Sequence, residues 1–320
     1  MKSLNSALLL SMVLILAIST SCVQAGEDTK IPSLPASITV TSTKVPTALP
    51  TDTPTFISTL PIEQAQANLL ELLSNNASCR LPCFLGITPG KTTYTEARNI
   101  LYPFSSISIS MNLSGDNNAD SAWLTYDEGD IRTFAELSYF YNNKGTVNSL
   151  MFKAGEYKET AESRSPVYNS KIFGNRLHLY MLSGILSEFG KPTSVVIHTS
   201  GEQITGSGGF DILLLYPNEG IFAHYTTQME TTGTNARGCP ANAQVELHLS
   251  PSGNIEAFTK SLSETTLGGM FEGLEIFDNP SWKSIEKVTT MSLDQFHETF
   301  YLPTDKCIET PLKEWYVPDN

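Results

Sequence analysis

Beyond residue 62 the apolar positions change period several times, and each change predicts an element. Ile62, Ala65, Leu69, Leu72 and Leu73 recur at helical spacing, and Asn75 and Asn76 stop the helix they imply. A second helix is expected from about Thr93 to Leu101, opened by a capping box of Thr93 and Glu96 and striped by Ala97, Ile100 and Leu101. The period then falls to two. Ile107, Ile109, Met111 and Leu113 alternate with polar residues, as do Ala122 to Tyr126 and Ala135 to Tyr141; the last runs through Asn142-Asn143-Lys144-Gly145 into Val147 to Phe152. Helical spacing returns from about Asn175 to Phe189, closed by Gly190 and Pro192. Strands are expected again at Ser194 to His198, Phe210 to Tyr216, Ile221 to Thr226, Val245 to Leu249 and Ile255 to Phe258. A last helix, Leu293 to Phe300, is capped by Ser292 with Gln295 three places on.

The pattern predicts an α+β fold in which a helix and an antiparallel meander occur twice, in a unit over 62–172 and a second over 173–320 with a C-terminal extension. Tyr141-Asn-Asn-Lys-Gly145 matches Tyr216-Pro-Asn-Glu-Gly220 at the main turns, which reads as a tandem repeat. The opening phrase Thr88-Pro89-Gly90-Lys-Thr-Thr-Tyr-Thr-Glu96-Ala97 and the helix exit Phe189-Gly190-Lys-Pro192 resemble the small outer-membrane assembly lipoproteins of the SmpA/OmlA type and the tandem fold of the β-lactamase inhibitor protein. That resemblance covers about Gly86 to Leu249 and implies a binding or assembly role without catalysis. The phrase from Cys79 to Gly90 also resembles one found in tethered bacterial lipoproteins.

The beginning of the chain has a different pattern. Lys2, an apolar run from Ala7 to Ile18 and small residues before Cys22 make a secretory signal over 1–22. The run is about a dozen residues, short of the roughly 20 needed to span a bilayer as a helix. Two processing routes compete. Ser19-Thr20-Ser21-Cys22 resembles a lipobox that would make Cys22 a lipid anchor, with Ser19 where an aliphatic residue is usual; Val23-Gln24-Ala25 offers cleavage by an ordinary signal peptidase. The Thr/Pro-rich stretch 23–61 is too polar and too rich in proline to collapse, and a tether is what an anchored protein needs, so the lipoprotein route is favoured. The expected location is extracytoplasmic, membrane-anchored or secreted, with the membrane and an envelope protein as partners.

Charge and cysteine content narrow the partners. The net charge is -13, and removing residues 1–22, which carry only Lys2, leaves -14; such a surface repels phosphate backbones, so no nucleic-acid binding is expected. Besides Cys22 there are four cysteines, Cys79, Cys83, Cys239 and Cys307, an even number that suits an oxidising compartment. Three pairings are open; Cys79 with Cys83 and Cys239 with Cys307 are favoured, with a thiolate metal site as the alternative.

The search for chemistry finds no Gly-x-Ser-x-Gly elbow, His-Glu-x-x-His helix or Walker loop, and no cofactor is expected. His198, His224 and His248 fall on expected strands and would make a metal trio only if those strands are neighbours. Asp116, Asn118 and Asp120 alternate like the first ligands of a calcium loop, and Asp127 falls at the twelfth position. Ser121 stands where that loop needs glycine, so a solvated hairpin tip is the simpler reading. Asp127, Glu128 and Asp130 are more naturally a turn than a hydrolytic pair. The expectation is an exported, non-catalytic binding or assembly module; the alternatives are an exported hydrolase with a dispersed site built from strand histidines and the Asp127 to Asp130 carboxylates, and a purely structural surface protein.

Overall fold

A computed structural model describes residues 60–104, 108–112, 118–128, 131–159, 164–167, 175–202, 207–263, 271–272, 275–276 and 282–315. Cys22 and the stretch 23–59 lie outside them. The described residues belong to one compact unit, Thr55–Asn320.

The first helix, α1, is Ile62–Asn75. Leu73 is buried, whereas Ile62, counted in the apolar stripe, is 62% exposed. Asn76 ends the helix in the left-handed conformation at φ 51°. Its buried amide then organises the next turn: Nδ2 donates to the carbonyls of Cys79 at 2.6 Å and Cys83 at 2.9 Å, while Oδ1 accepts from the N–H of Leu85 at 2.9 Å. Three backbone groups that a short loop would otherwise bury unpaired are thereby satisfied. Cys79 and Cys83 are disulfide-bonded across the same loop. Phe84 at its end packs against Phe152 and Tyr180, with centroids 4.7 and 5.3 Å away. The helix α2, Tyr94–Leu101, begins with the expected reciprocal capping box of Thr93 and Glu96.

Twelve of the described strands form one antiparallel sheet, and the other two pair separately. The first meander comprises β1 Ser108–Asn112, β2 Asn118–Glu128, β3 Ile131–Tyr141 and β4 Val147–Glu159, with β5 Arg164–Val167 beside β4. After helix α3, Leu182–Phe189, come β6 Ser194–Glu202, β7 Ser207–Tyr216 and β8 Ile221–Thr232. Gly190, at φ 73°, closes α3; residues 177–181 are turns, so the helix is shorter than its apolar spacing predicts. The short strand β9, Asn235–Gly238, hairpins onto the end of β8, and β10, Gln244–Leu249, pairs with β8 on one side and β4 on the other. Along the main path the order is β1-β2-β3-β4-β10-β8-β7-β6, so the meanders meet where β10 lies against β4. The α+β class is as expected; strand order alone does not establish a duplication.

One expectation is overturned. Residues from Ile255 form helix α4, Ile255–Ser263, in place of a strand. Asn254 caps it, its Oδ1 accepting from the N–H of Ala257 at 2.9 Å, and it buries Phe258 while Ile255 stays 48% exposed. Four residues are too few to separate the two periods, and the cap decides. Farther on, β11 Phe271–Glu272 pairs with β12 Glu275–Ile276, and β13 Trp282–Ser284 extends the sheet beyond β6. The short helix α5, Ile285–Val288, precedes α6, Leu293–Phe300, which has the expected Ser292–Gln295 capping box. Strand β14, Ile308–Pro311, pairs with β9, and the adjoining disulfide joins Cys307 to Cys239.

Alternation along the strands gives the sheet two unlike faces. Ile197, Ile212, Leu214, Ala223, Tyr225, Leu247, Phe152 and Leu137 enter the main core with residues of α3 and α6, such as Ile185, Leu186, Phe296 and Phe300. The opposite face holds a smaller cluster in which Val196, Leu213, Leu215 and Phe222 meet Phe258 and Trp282. Elsewhere the second face mixes apolar residues such as Phe134, Phe140 and Met151 with a run of polar side chains, and that polar run forms the site.

Candidate functional site

Cross-strand register places the polar side chains of the second face beside one another. His198 on β6 is opposite Asp211 on β7, and Asp211 is opposite Thr226 on β8. On the next line, His224 of β8 is opposite Glu246 of β10, Glu246 is opposite Lys153 of β4, and Lys153 is opposite Glu136 of β3. Because side chains alternate with a period of two, these positions share one face, and neighbouring strands lie about 4.8 Å apart. The row therefore crosses six adjacent strands.

Asp211 is the centre of one end. Its Oδ2 is 2.9 Å from Nδ1 of His198, and its Oδ1 is 2.8 Å from Nε2 of His224 and 2.7 Å from Oγ1 of Thr226. Burial by itself would raise the Asp211 carboxyl, but hydrogen bonds from His198 and His224, the charge of His224 and the Thr226 hydroxyl outweigh it and hold it well below the usual carboxylate range. An ionised carboxylate only accepts, so both imidazoles and the hydroxyl donate to it. The bonds fix both rings, leaving Nε2 of His198 and Nδ1 of His224 as the nitrogens not turned to Asp211. Trp282 covers the pair, stacked on His198 at 4.4 Å with planes 12° apart and presenting an edge to His224 at 6.3 Å.

Glu246 organises the middle. Its Oε1 accepts from Nε2 of His248 at 2.7 Å, and Nζ of Lys153 lies 3.5 Å from its Oε2. Burial opposes ionisation here too, but the hydrogen bond and charge of His248, followed by the charges of Lys153 and His224, bring the carboxyl down to about 2. At the far end burial dominates and raises Glu136, against the hydroxyl of Ser138 and the charge of Lys153. Ser138 bonds in turn to Ser121 at 2.6 Å. The row thus joins hydrogen-bonded acids, imidazoles and hydroxyls on a half-buried surface, an arrangement able to bind a polar group or pass a proton.

The sequence-predicted residues meet different fates. Both favoured cysteine pairs are present, so none of the four described thiols is left for a metal. His198 and His224 come together, but through Asp211; His248 bonds Glu246 instead. Among the described residues, no group of three His, Cys, Asp or Glu side chains is placed to hold a metal ion. The calcium loop fails on backbone geometry: Asn118, Asp120 and Asp127 all lie on β2, and seven residues of extended strand put Asp127 about 23 Å beyond Asp120. Asp116 and Asp130 lie outside the described residues, as does the lipidation candidate Cys22. The backbone of Asp127 and Glu128, on β2, is four strand spacings, about 19 Å, from β8, which carries His224. Asp211, Thr226 and Glu246 were missed, although a visible signal existed: a single acid interrupts each of the apolar runs Phe210-Asp-Ile-Leu-Leu-Leu-Tyr216 and Val245-Glu-Leu-His-Leu249.

Comparison with protein-family models, with curated proteins and with solved structures found no match.

Proposed function

We propose that the chain is an exported, lipid-anchored envelope protein, and that it works as a binding module whose recognition surface is the polar row on the second face of its sheet. One observation carries the reading: three carboxylates, three imidazoles and an ammonium are held partly buried and bonded to one another across six strands, on a face where an ordinary antiparallel sheet carries solvated, independent polar side chains. Desolvating that many ionisable groups works against folding, and such departures from local rules concentrate at working sites. Two cysteine pairs and the secretory pattern of residues 1–22 support the extracytoplasmic setting. Among the described residues no helix is long and apolar enough to cross a membrane; attachment through Cys22 rests on the small residues Ser19-Thr20-Ser21 that precede it.

The test uses the anchored protein on intact cells. A photo-crosslinking residue at Lys153 is expected to trap a partner, and one at Lys191, which pairs with Asp294 at 2.7 Å on a different element, is not. The trapped species should disappear when Glu246→Gln is added. Equal trapping at both positions, or none at Lys153, rejects the row as the recognition surface. Cys22→Ala should release the protein from the membrane fraction; retention there rejects the anchor.

A further inference from the structure

Among the described residues, the outermost strands of the large sheet are β1 and β13 at the ends of the main path and β5 and β14 on its branches. An outer strand presents backbone N–H and C=O groups that no neighbour uses, so it can pair with another chain unless charge, proline or shortness blunts it. Three of these four are blunted. β13 is three residues long and carries Lys283, β5 carries Arg164 and Pro166, and β14 carries Glu309 and Pro311. β1, Ser-Ile-Ser-Met-Asn over Ser108–Asn112, has neither charge nor proline, and among the described residues its one ladder partner is β2. The nearest charges along the chain are Arg98 before it and Asp116 after it.

The composition of this edge also says what fits it. On a chain of net charge -13, repulsion between two copies is least where no acid lies. The strand is self-complementary when read backwards. With two copies antiparallel about a two-fold axis at Ser110, Ser110 faces its own copy, Ile109 faces Met111 and Ser108 faces Asn112. Apolar meets apolar and polar meets polar at every position. A slip of one residue would set Ile109 against Ser110, and a slip of two would leave two of the five residues without a partner strand.

The register with β2 sets the faces. Ile109 is opposite Ser121, which is opposite Ser138, so positions 109 and 111 belong to the second face and 108, 110 and 112 to the core side. A two-fold axis perpendicular to the sheet keeps each face on its own side. The Ile109 and Met111 positions of both copies then adjoin at the axis, and both polar rows are displayed on one side of a continuous sheet.

We propose that β1 pairs antiparallel with β1 of a second copy of this chain, joining two twelve-stranded sheets across a two-fold axis at Ser110. A five-residue edge falls short of the roughly 1,000 Å² of a stable interface, so the dimer is weak, with a dissociation constant of about 10 to 100 μM. The pairing stands whether or not the polar row is a recognition surface.

Sedimentation velocity of the Cys22→Ala chain, from about 5 to about 500 μM, should show monomer passing to dimer. Met111→Lys sets an ammonium against Ile109 twice by symmetry and should weaken the dimer about fivefold or more. Single cysteines locate the axis in the same background, where the four native thiols are already paired. Ser110→Cys puts two Cα atoms about 5 Å apart, within disulfide reach, whereas Asn112→Cys leaves them about 14 Å apart along the strands. Oxidation should therefore crosslink the first about tenfold faster or more. A chain that stays monomeric throughout, as it would if another segment or a different protein covers β1, overturns the proposal. So does a dimer that Met111→Lys leaves unchanged, or one in which Asn112→Cys crosslinks as readily as Ser110→Cys. The crosslinking comparison decides alone if Met111→Lys fails to fold.

Discussion

Asp211 and His224 are joined by a 2.8 Å hydrogen bond although they are not cross-strand partners; the residue opposite Asp211 is Thr226. The bond is diagonal, reaching two residues along β8, and it frees the other carboxylate oxygen for His198 on the far side. One acid therefore ties three strands together. Replacing it by an amide, Asp211→Asn, turns an NH₂ donor toward groups that also donate. A loss of about 3 kcal/mol is expected, the range for breaking a buried charged network by removing one partner. Urea denaturation at neutral pH measures it, and a loss under about 1 kcal/mol would mean that the histidines find other partners.

Glu246 predicts how stability responds to acid. Its folded-state value of about 2 lies below the 4.5 of an unperturbed glutamate, so the unfolded chain binds the proton first as pH falls. The stabilisation is complete above about 4.5 and drains away between there and about 2. In Glu246→Gln this part of the acid limb should flatten. Denaturation midpoints followed across that window provide the measurement, and an unchanged slope would show that Glu246 titrates normally in the folded protein.

The two disulfides should differ in weight. Cys239 and Cys307 are 68 residues apart and Cys79 and Cys83 only 4. On the chain-entropy account, removing the first costs about 4 kcal/mol and removing the second about 2. Paired serine substitutions compared by thermal melting should therefore show the larger fall for Cys239/Cys307. The reverse order would place the greater constraint in the Asn76 loop.

Two turn glycines separate backbone conformation from crowding. Gly145 and Gly220 have φ of +76° and +72°, but a methyl group at Gly145 would meet nothing within 4 Å, whereas one at Gly220 would press on the carbonyl oxygen of Ser250. Gly145→Ala should cost about 1 to 2 kcal/mol, the penalty for a left-handed alanine. Gly220→Ala should cost clearly more, since β10 leaves the sheet at Ser250 and its backbone must move. Equal losses would show that the turn relaxes without disturbing β10.

Local signals were legible without the fold. Thr93 with Glu96 and Ser292 with Gln295 announced two helix starts, and Gly190 announced a helix end, because capping is satisfied within a few residues of chain. Alternation fixed which residues of Ala135 to Tyr141 and Ile221 to Thr226 share a face. It could not say which strand lies beside which. The placement of β10 between β4 and β8 depends on pairings between residues far apart in sequence, and that placement alone brings Glu246 to both Lys153 and His224. Ile255 to Phe258 was misread for a related reason: a short apolar run takes its form from a cap and from the surface it covers.

By itself, the sequence determined the α+β class, the helix boundaries that carry their own caps and the oxidisable cysteine set. The tertiary structure decided the sites. His198, Asp211 and His224 span 27 positions of chain, so the grouping has no local spacing to betray it. Hydrogen bonds and charges act over a few ångströms of space, and only strand pairing and core packing bring such residues within that range.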